Sequence, residues 1–222
     1  NYGGLDLEPS ERKNYRKICY FLGIMVNAEG KRFLDEGKNF RNYTYAQYGR
    51  KVLEQSGNFA WQIFDSKVFD LLYEEYRFHD AHFVEGTTLD NIISKLEGVD
   101  KNEVKTTIQE YNDSVDTKIE FDPTILDGKS TKGLEISKSN WAQKLDKGPF
   151  KAFPVTGGIT FTYGGLKVSE NGSVINNDNK PIKGLFACGE LIGGVFFNGY
   201  PGGSGLTSGA VFGRIAGYGA CK

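Results

Sequence analysis

Basic tracts are missing from this 222-residue chain. Its 27 Lys and Arg are matched by 28 Asp and Glu, for a formal net charge of −1. Binding to nucleic acid by phosphate neutralisation is therefore not expected. Cysteine is scarce as well. Cys19, Cys188 and Cys221 are odd in number, far apart and without metal-ligand spacing. That pattern excludes a disulfide framework and makes a reducing cytoplasm the expected setting. No run of 18 apolar residues occurs, so no membrane span is expected. What the chain does have is an ordinary globular composition, 39% hydrophobic and 25% charged. Aromatic residues are plentiful at 14%, a surplus that serves either a core or the lining of a ligand cleft.

Periodicity and turn residues divide the chain into two stretches of different character. Pro9 and Ser10 open a helical pattern that runs to Gly23, with Tyr15, Ile18, Cys19 and Leu22 on one face. A short strand at 24–26, a turn at 27–30 and a second strand at Arg32–Leu34 are expected next. Helices are expected at 44–55 and 66–74, with a buried strand "FAWQIFD" at 59–65 between them. Thr87 with Asp90, and Asp100 with Glu103, have the spacing of capping boxes for helices at 87–98 and 100–115. Val104, Ile108 and Tyr111 form the buried stripe of the second. Glycine and proline cluster at 148–158, and short strands follow at 158–163, 165–169, 173–176 and 184–190 before a helix at 206–219. The fold class is α+β, with a boundary placed at about residue 148, between domains 1–148 and 149–222.

The segment "GYPGGSGLTSGAVFGRIAG" at 199–217 carries Gly203, Gly205 and Gly209 in near-dinucleotide spacing. That fingerprint has meaning only directly after a strand and inside a strand–helix–strand unit. Here the apolar strand at 185–188 lies about ten residues upstream and no strand can follow the helix, so a Rossmann start is rejected. The physics of the loop remains. Glycines permit close approach, and the first amides of the helix, around Ser204 to Thr207, carry partial positive charge. Such an end suits a flavin edge that gains negative charge on reduction. A glycine-packed contact between helix and sheet with no ligand is the alternative.

Longer stretches are more specific. "GLFACGELIGG" (184–194) followed by "YPGGSGLTSGAVFGRIAG" (200–217) resembles the C-terminal flavin-contacting segment of the FAD-dependent fumarate reductase and succinate dehydrogenase flavoprotein superfamily. "TGGITFTYGGLKV" (156–168) is similar to the segment before it, and "NAEGKRFLDE" (27–36) and 87–112 to the superfamily's cap domain. "FRNYTYAQYGR" and "FPVTGGITFTYGGL" look most like FAD-dependent tricarballylate dehydrogenases. The resemblance implies a cap, or substrate, domain followed by the C-terminal β-rich part and last helix of an FAD domain. It also implies that the chain is the C-terminal part of a longer enzyme, so that holding FAD requires an N-terminal dinucleotide-binding segment. The expected partners are a small carboxylate or keto substrate and that N-terminal FAD-domain half. A non-catalytic module for small acids, or one half of a split flavoenzyme, stays open beside it.

Residue by residue, the resemblance assigns Gly189 and Glu190 to the flavin's ribityl chain. Ser204, Gly205 and Leu206 fall to its pyrimidine edge, and Thr207, in the same helix start, is a further cofactor-binding candidate. Where fumarate reductases place an Arg two residues before the Gly-Gly pair stands Tyr200, and Phe161 takes the place of a His. Tyr-Pro-Gly at this location is similar to 3-ketosteroid Δ1-dehydrogenases, in which the Tyr polarises a carbonyl. Tyr200 is thus either an electrophile or an aromatic packed on the loop. Arg41, after a one-residue shift, matches the proton-donating Arg of the cap, and Arg50 is the next candidate; either suits a carboxylate, or is a solvated surface Arg. Arg32 is expected to brace the turn. His79 and His82, three residues apart, lack a third ligand and are read as ordinary histidines.

Overall fold

The computed structural model describes residues 16–78, 81–158, 161–197 and 199–221. They divide into two compact units, 1–158 and 159–222.

In the first unit a four-stranded antiparallel sheet has the order β1 (Ile24–Val26), β2 (Phe59–Asp65), β4 (Phe150–Thr156), β3 (Val84–Gly86). All seven residues of β2 are buried, because both faces of the sheet are covered. Alternation sends Phe59, Trp61 and Ile63 to one face, where they pack with Ile92, Val104 and Ile108 of α2 (Leu89–Lys95) and α3 (Lys101–Ser114). Ala60 and Phe64 point the other way, toward Tyr20, Tyr48 and Val52 on one side and Leu72, Tyr76 and Phe153 on the other. Gln62 has the same orientation and is fully buried, but its amide is used. Nε2 donates to the Lys17 carbonyl at 2.8 Å, and Oε1 accepts from the Tyr76 hydroxyl at 2.6 Å.

The central strand β4 begins two residues past the boundary placed at 148 by the sequence. It holds Pro154, a residue that argues against a strand interior. The register resolves this: β3 pairs only with residues 150–152 of β4, and Pro154 faces Trp61 of β2 on the other side. Its missing N–H therefore falls beyond the end of β3.

Local chemistry accounts for most of the helices. Asp100 caps α3, accepting from the amides of Asn102 and Glu103 at 3.0 and 3.1 Å, and Val104, Ile108 and Tyr111 are its buried stripe. The cap of α2 is Thr88, one residue later than expected, accepting from Asn91 N–H at 3.2 Å. Thr87 lies one residue before the cap, with its carbonyl against Gly148. α1 spans Arg41–Leu53, starting three residues before the Thr44 of the sequence reading.

Other expectations gave way to tertiary packing. Of the helix expected at 9–23, residues 9–15 lie outside the described residues, and the rest forms only a 3₁₀ turn at Tyr20–Leu22. Ile18, Cys19, Tyr20 and Leu22 are all buried, more sides than one helical stripe supplies. Arg32–Leu34 forms no strand because the Arg32 side chain turns inward to pair with Glu36. The helix expected at 66–74 is a 3₁₀ stretch, Ser66–Leu71.

The second unit is sparse. β5 (Ser173–Ile175) and β6 (Pro181–Phe186) make an antiparallel hairpin, and α4 (Ser204–Ala220) follows a 3₁₀ turn at Gly189–Leu191. Of the strand expected at 158–163, residues 159 and 160 lie outside the described residues and 161–163 belong to no strand. Residues 165–169 contribute isolated bridges at Leu166 and Val168 instead of a strand. Val174, Ala187 and Ile192 form its core, with Val168 and Phe212 packed against them. No helix among the described residues is long and apolar enough to cross a membrane.

Candidate functional site

The second unit builds its candidate site around the start of α4. Gly203, the N-cap, has φ of 82°, a left-handed conformation that a side chain would strain, and it offers no capping side chain. A Cβ there would meet nothing within 4 Å, so open space lies in front of it. The loop satisfies two of the first amides itself. Ser204 donates to the Pro201 carbonyl through both N–H, at 3.1 Å, and hydroxyl, at 2.6 Å. Thr207 treats the Gly203 carbonyl the same way, at 3.1 Å for each group. The N–H groups of Gly205 and Leu206 are left without an acceptor among the described residues. Of the four amides the sequence singled out, these two remain for a ligand.

A cavity of about 520 Å³ opens at this helix end, lined by Val195, Phe196, Gly202, Gly203, Val211 and Phe212 among others. That is within the usual range for small-molecule sites. Four rings gather beside it. Tyr200, half-buried, lies 4.8 Å from the Phe161 ring, 5.8 Å from Phe196 and 6.2 Å from Tyr163. The Phe161 ring in turn sits on Gly205, where an added Cβ would come within 2.9 Å of it. Burial, with the neighbouring Tyr200 second, pushes the Tyr163 phenol up from its ordinary value.

Glu190 is exposed in the turn Gly189–Leu191, and Gly189 before it has a left-handed φ of 77°. Oε1 of Glu190 accepts from the N–H and the hydroxyl of Thr162, at 2.7 and 3.1 Å, and Oε2 has no partner among the described residues. Thr162, Tyr163 and Phe196 are the neighbours that sequence reasoning did not single out. Only the alternation of aromatic and hydroxyl residues in "FTY" marks the first two.

The first unit holds the arginines. Arg41 is half-buried at the first position of α1, and its Nε donates to the Tyr73 hydroxyl. Its guanidinium carbon lies 4.8 Å from the Tyr73 ring centroid. Arg50 is exposed in the last turn of the same helix. Nine residues at about 100° each put the two on opposite sides of α1, so the helix does not bring them together. The Arg32 side chain is only 6% exposed: Nε donates to Glu36 at 3.1 Å and Nη1 to the Ile136 carbonyl at 2.7 Å, tying the turn to a distant segment. His79 lies outside the described residues, and His82 is exposed. No group of three His, Cys, Asp or Glu side chains able to hold a metal occurs among the described residues.

Comparison with known proteins gives this geometry its context. The profile of the FAD binding domain family matches residues 18–206. The fumarate reductase (cytochrome) of Shewanella frigidimarina is 30% identical over 90% of this chain and 32% of its own length. The 4-oxocyclohex-2-ene-1-carboxylate 5-dehydrogenase of Sinomonas cyclohexanicum is 29% identical over 87% of this chain and 35% of its own. Among solved structures, the open conformation of a flavocytochrome c3 fumarate reductase matches with a TM-score of 0.66 and 29% identity, over 90% of this chain and 33% of that one. The chain spans about a third of the length of these relatives.

Proposed function

The chain belongs to the FAD-dependent fumarate reductase and succinate dehydrogenase flavoprotein superfamily, and we propose that the protein oxidises or reduces a C–C bond beside a carboxylate or carbonyl. The observation that carries this reading is the start of α4, where the open amides of Gly205 and Leu206 stand near Tyr200 and a cavity with an apolar lining. These residues fit a flavin. Gly203 leaves room for close approach, the rings and valines suit a flat apolar face, and two aligned amides suit an edge that becomes anionic.

Bound there, the flavin supplies hydride exchange with the substrate carbon. The chain's own residues do the rest. Gly205 and Leu206 stabilise negative charge without rearrangement, since α4 already holds their N–H groups in place. Ser204 and Thr207, both tied to loop carbonyls, keep that end in shape. Glu190 uses Oε1 to hold Thr162 and offers Oε2 to a ribityl hydroxyl, and Gly189 allows the backbone to turn there. Tyr200 donates its phenol proton as a hydrogen bond to a substrate oxygen, and Arg41 grips a carboxylate. Arg50, on the far side of α1, has no part in this. In this reading the first unit is the cap, or substrate, domain and the second belongs to the FAD domain.

The substrate carries a carboxylate, a ketone or both, like the 4-oxocyclohex-2-ene-1-carboxylate for which the Sinomonas relative is named; a tricarballylate-like polycarboxylate is one member of that class. Replacing Tyr200 by Phe keeps the ring group and removes the donor. In the flavin-loaded protein, Tyr200→Phe is expected to lower kcat about 10²–10³-fold, with the flavin absorbance per chain unchanged. Turnover equal to that of the unsubstituted protein would remove Tyr200 from the chemistry.

A further inference from the structure

A guanidinium has two edges that can receive a carboxylate: the side edge, Nε with one terminal nitrogen, and the end, Nη1 with Nη2. In Arg41 the side edge is taken, because Nε donates to the Tyr73 hydroxyl. The Tyr73 ring also lies against the guanidinium, 4.8 Å from centroid to carbon. Arg32 shows the contrasting state, since its three nitrogens bond Glu36, Ile136 and Leu34 and none remains for a ligand. Nη1 and Nη2 of Arg41 have no hydrogen-bond partner or ion pair among the described residues.

Tyr73 is itself packed on two sides. Its ring packs against the buried cluster of Tyr20, Tyr48 and Val52 and against that of Leu72, Tyr76 and Phe153. Its N–H donates to the sulfur of buried Cys19 at 3.4 Å. A long side chain at a helix start would ordinarily lose rotamer freedom on gripping a ligand, and this anchorage removes much of that cost beforehand. The first turn of α1 also lacks an acidic residue, so nothing there neutralises Arg41.

We infer that Tyr73 is a positioning residue that fixes Arg41 as an end-on, two-nitrogen fork for one carboxylate of the substrate. The inference rests on the reading that Arg41 binds a carboxylate, and adds which edge does so and what aims it. A carboxylate met end-on is held in the plane of the guanidinium by two parallel hydrogen bonds. A single point charge would leave it free to rotate. Any ligand with one carboxylate free to enter that plane belongs to the class this fork accepts.

The test is calorimetric titration of the full flavin-loaded protein with acetate, succinate, fumarate and tricarballylate in turn, comparing Tyr73→Phe, Arg41→Lys and Arg41→Ala. Tyr73→Phe keeps the packed ring and removes only the hydroxyl, so its fold is preserved, which its circular dichroism and flavin absorbance verify. It is expected to weaken the tightest carboxylate about tenfold, the effect of one hydrogen bond to a charged group. Arg41→Lys should do at least as much, because an ammonium cannot form the fork, and Arg41→Ala about a hundredfold. In turnover, Tyr73→Phe should raise KM by the same factor and leave kcat within about twofold.

Loss of binding in Arg41→Ala with unchanged affinity in Tyr73→Phe overturns the inference alone. Carboxylate affinity that survives Arg41→Ala, or no carboxylate binding in the unsubstituted protein, overturns the underlying reading and the inference with it.

Discussion

Lys138 is a charged side chain with no access to water. Its Nζ donates to the Gly23 carbonyl at 2.6 Å, and burial drags its pKa from the ordinary 10.5 to about 8, with the Glu36 carboxylate opposing the drop. In the unfolded chain the lysine keeps its ordinary value. Between about 8 and 10.5 the unfolded state therefore binds more protons than the folded one, and stability rises with pH. Cys19 and four tyrosines act in the opposite sense. Burial pushes the Cys19 thiol from the ordinary 9.0 up to about 12, and pushes the phenols of Tyr20, Tyr48, Tyr76 and Tyr111 above their ordinary value. Stability is therefore lost from about pH 9 by the thiol and above about pH 10 by the phenols. Urea midpoints are expected to climb from about pH 7.5 to about 9 and to turn down above about pH 10, where the phenols of the unfolded chain ionise. Lys138→Met should flatten the climb. A midpoint that falls from about pH 7.5 to about 8.8 in the unsubstituted protein, below the range in which Cys19 acts, would show that Lys138 does not titrate there. Neither behaviour was legible in the sequence, where Lys138 lies in "ISKSN" with nothing to distinguish it from a surface lysine.

Among the elements, α3 was readable in its cap and its buried stripe, which are local, whereas the reciprocal half of the capping box is replaced by a distant partner, the Ala28 carbonyl accepting from the Asp100 N–H at 2.9 Å. Asp100 precedes Glu103 by three residues, and the apolar residues keep helical spacing. Asp100→Ala removes the acceptor for two amides and is expected to lower stability by about 1 kcal/mol, measured as a shift in denaturant midpoint at constant slope. An unchanged midpoint would mean that water replaces the cap at no cost. β4 was not readable, since Pro154 and the flanking glycines speak for a turn until the short reach of β3 is known. Residues 116–149 are a further case. They form no helix or strand, yet side chains pin them: Lys129 Nζ to the Asp116 carbonyl at 3.0 Å, Trp141 Nε1 to Ile125 at 2.8 Å, Asn140 Nδ2 to Gly37 at 2.8 Å. Backbone groups satisfied by distant side chains leave no periodic trace.

The two units of the molecule differ in how much they bury. The first has three apolar clusters around a fully buried strand and both tryptophans, Trp61 and Trp141. The second has Val174, Ala187 and Ile192 as its core, and α4, 17 residues long, buries only Ala216. Leu206, at 85% exposure, and Phe197, also at 85%, stand in water. So little buried apolar surface cannot offset the ordering of some 60 residues. A 159–222 segment expressed alone is expected to lack a cooperative unfolding transition, with far-ultraviolet circular dichroism showing less helix than α4 requires. A sigmoidal transition from that segment would contradict this. Unfolding of the first unit should be reported by its tryptophan fluorescence, as the second unit has none.

What order of residues alone could establish about this protein was whatever depends on neighbours within a turn or two. That covers the superfamily blocks around Glu190 and Gly203, the caps, the buried stripe of α3, the strand at 59–65 and the absence of a basic tract. Tertiary structure decided the rest, because it depends on partners dozens of residues away. It placed Phe161 on Gly205 and Tyr200, and it set Tyr73 against the Arg41 guanidinium. A loop's glycines can be read as room for a ligand, but which of its amides stay open is settled only when the carbonyls nearby have chosen their donors.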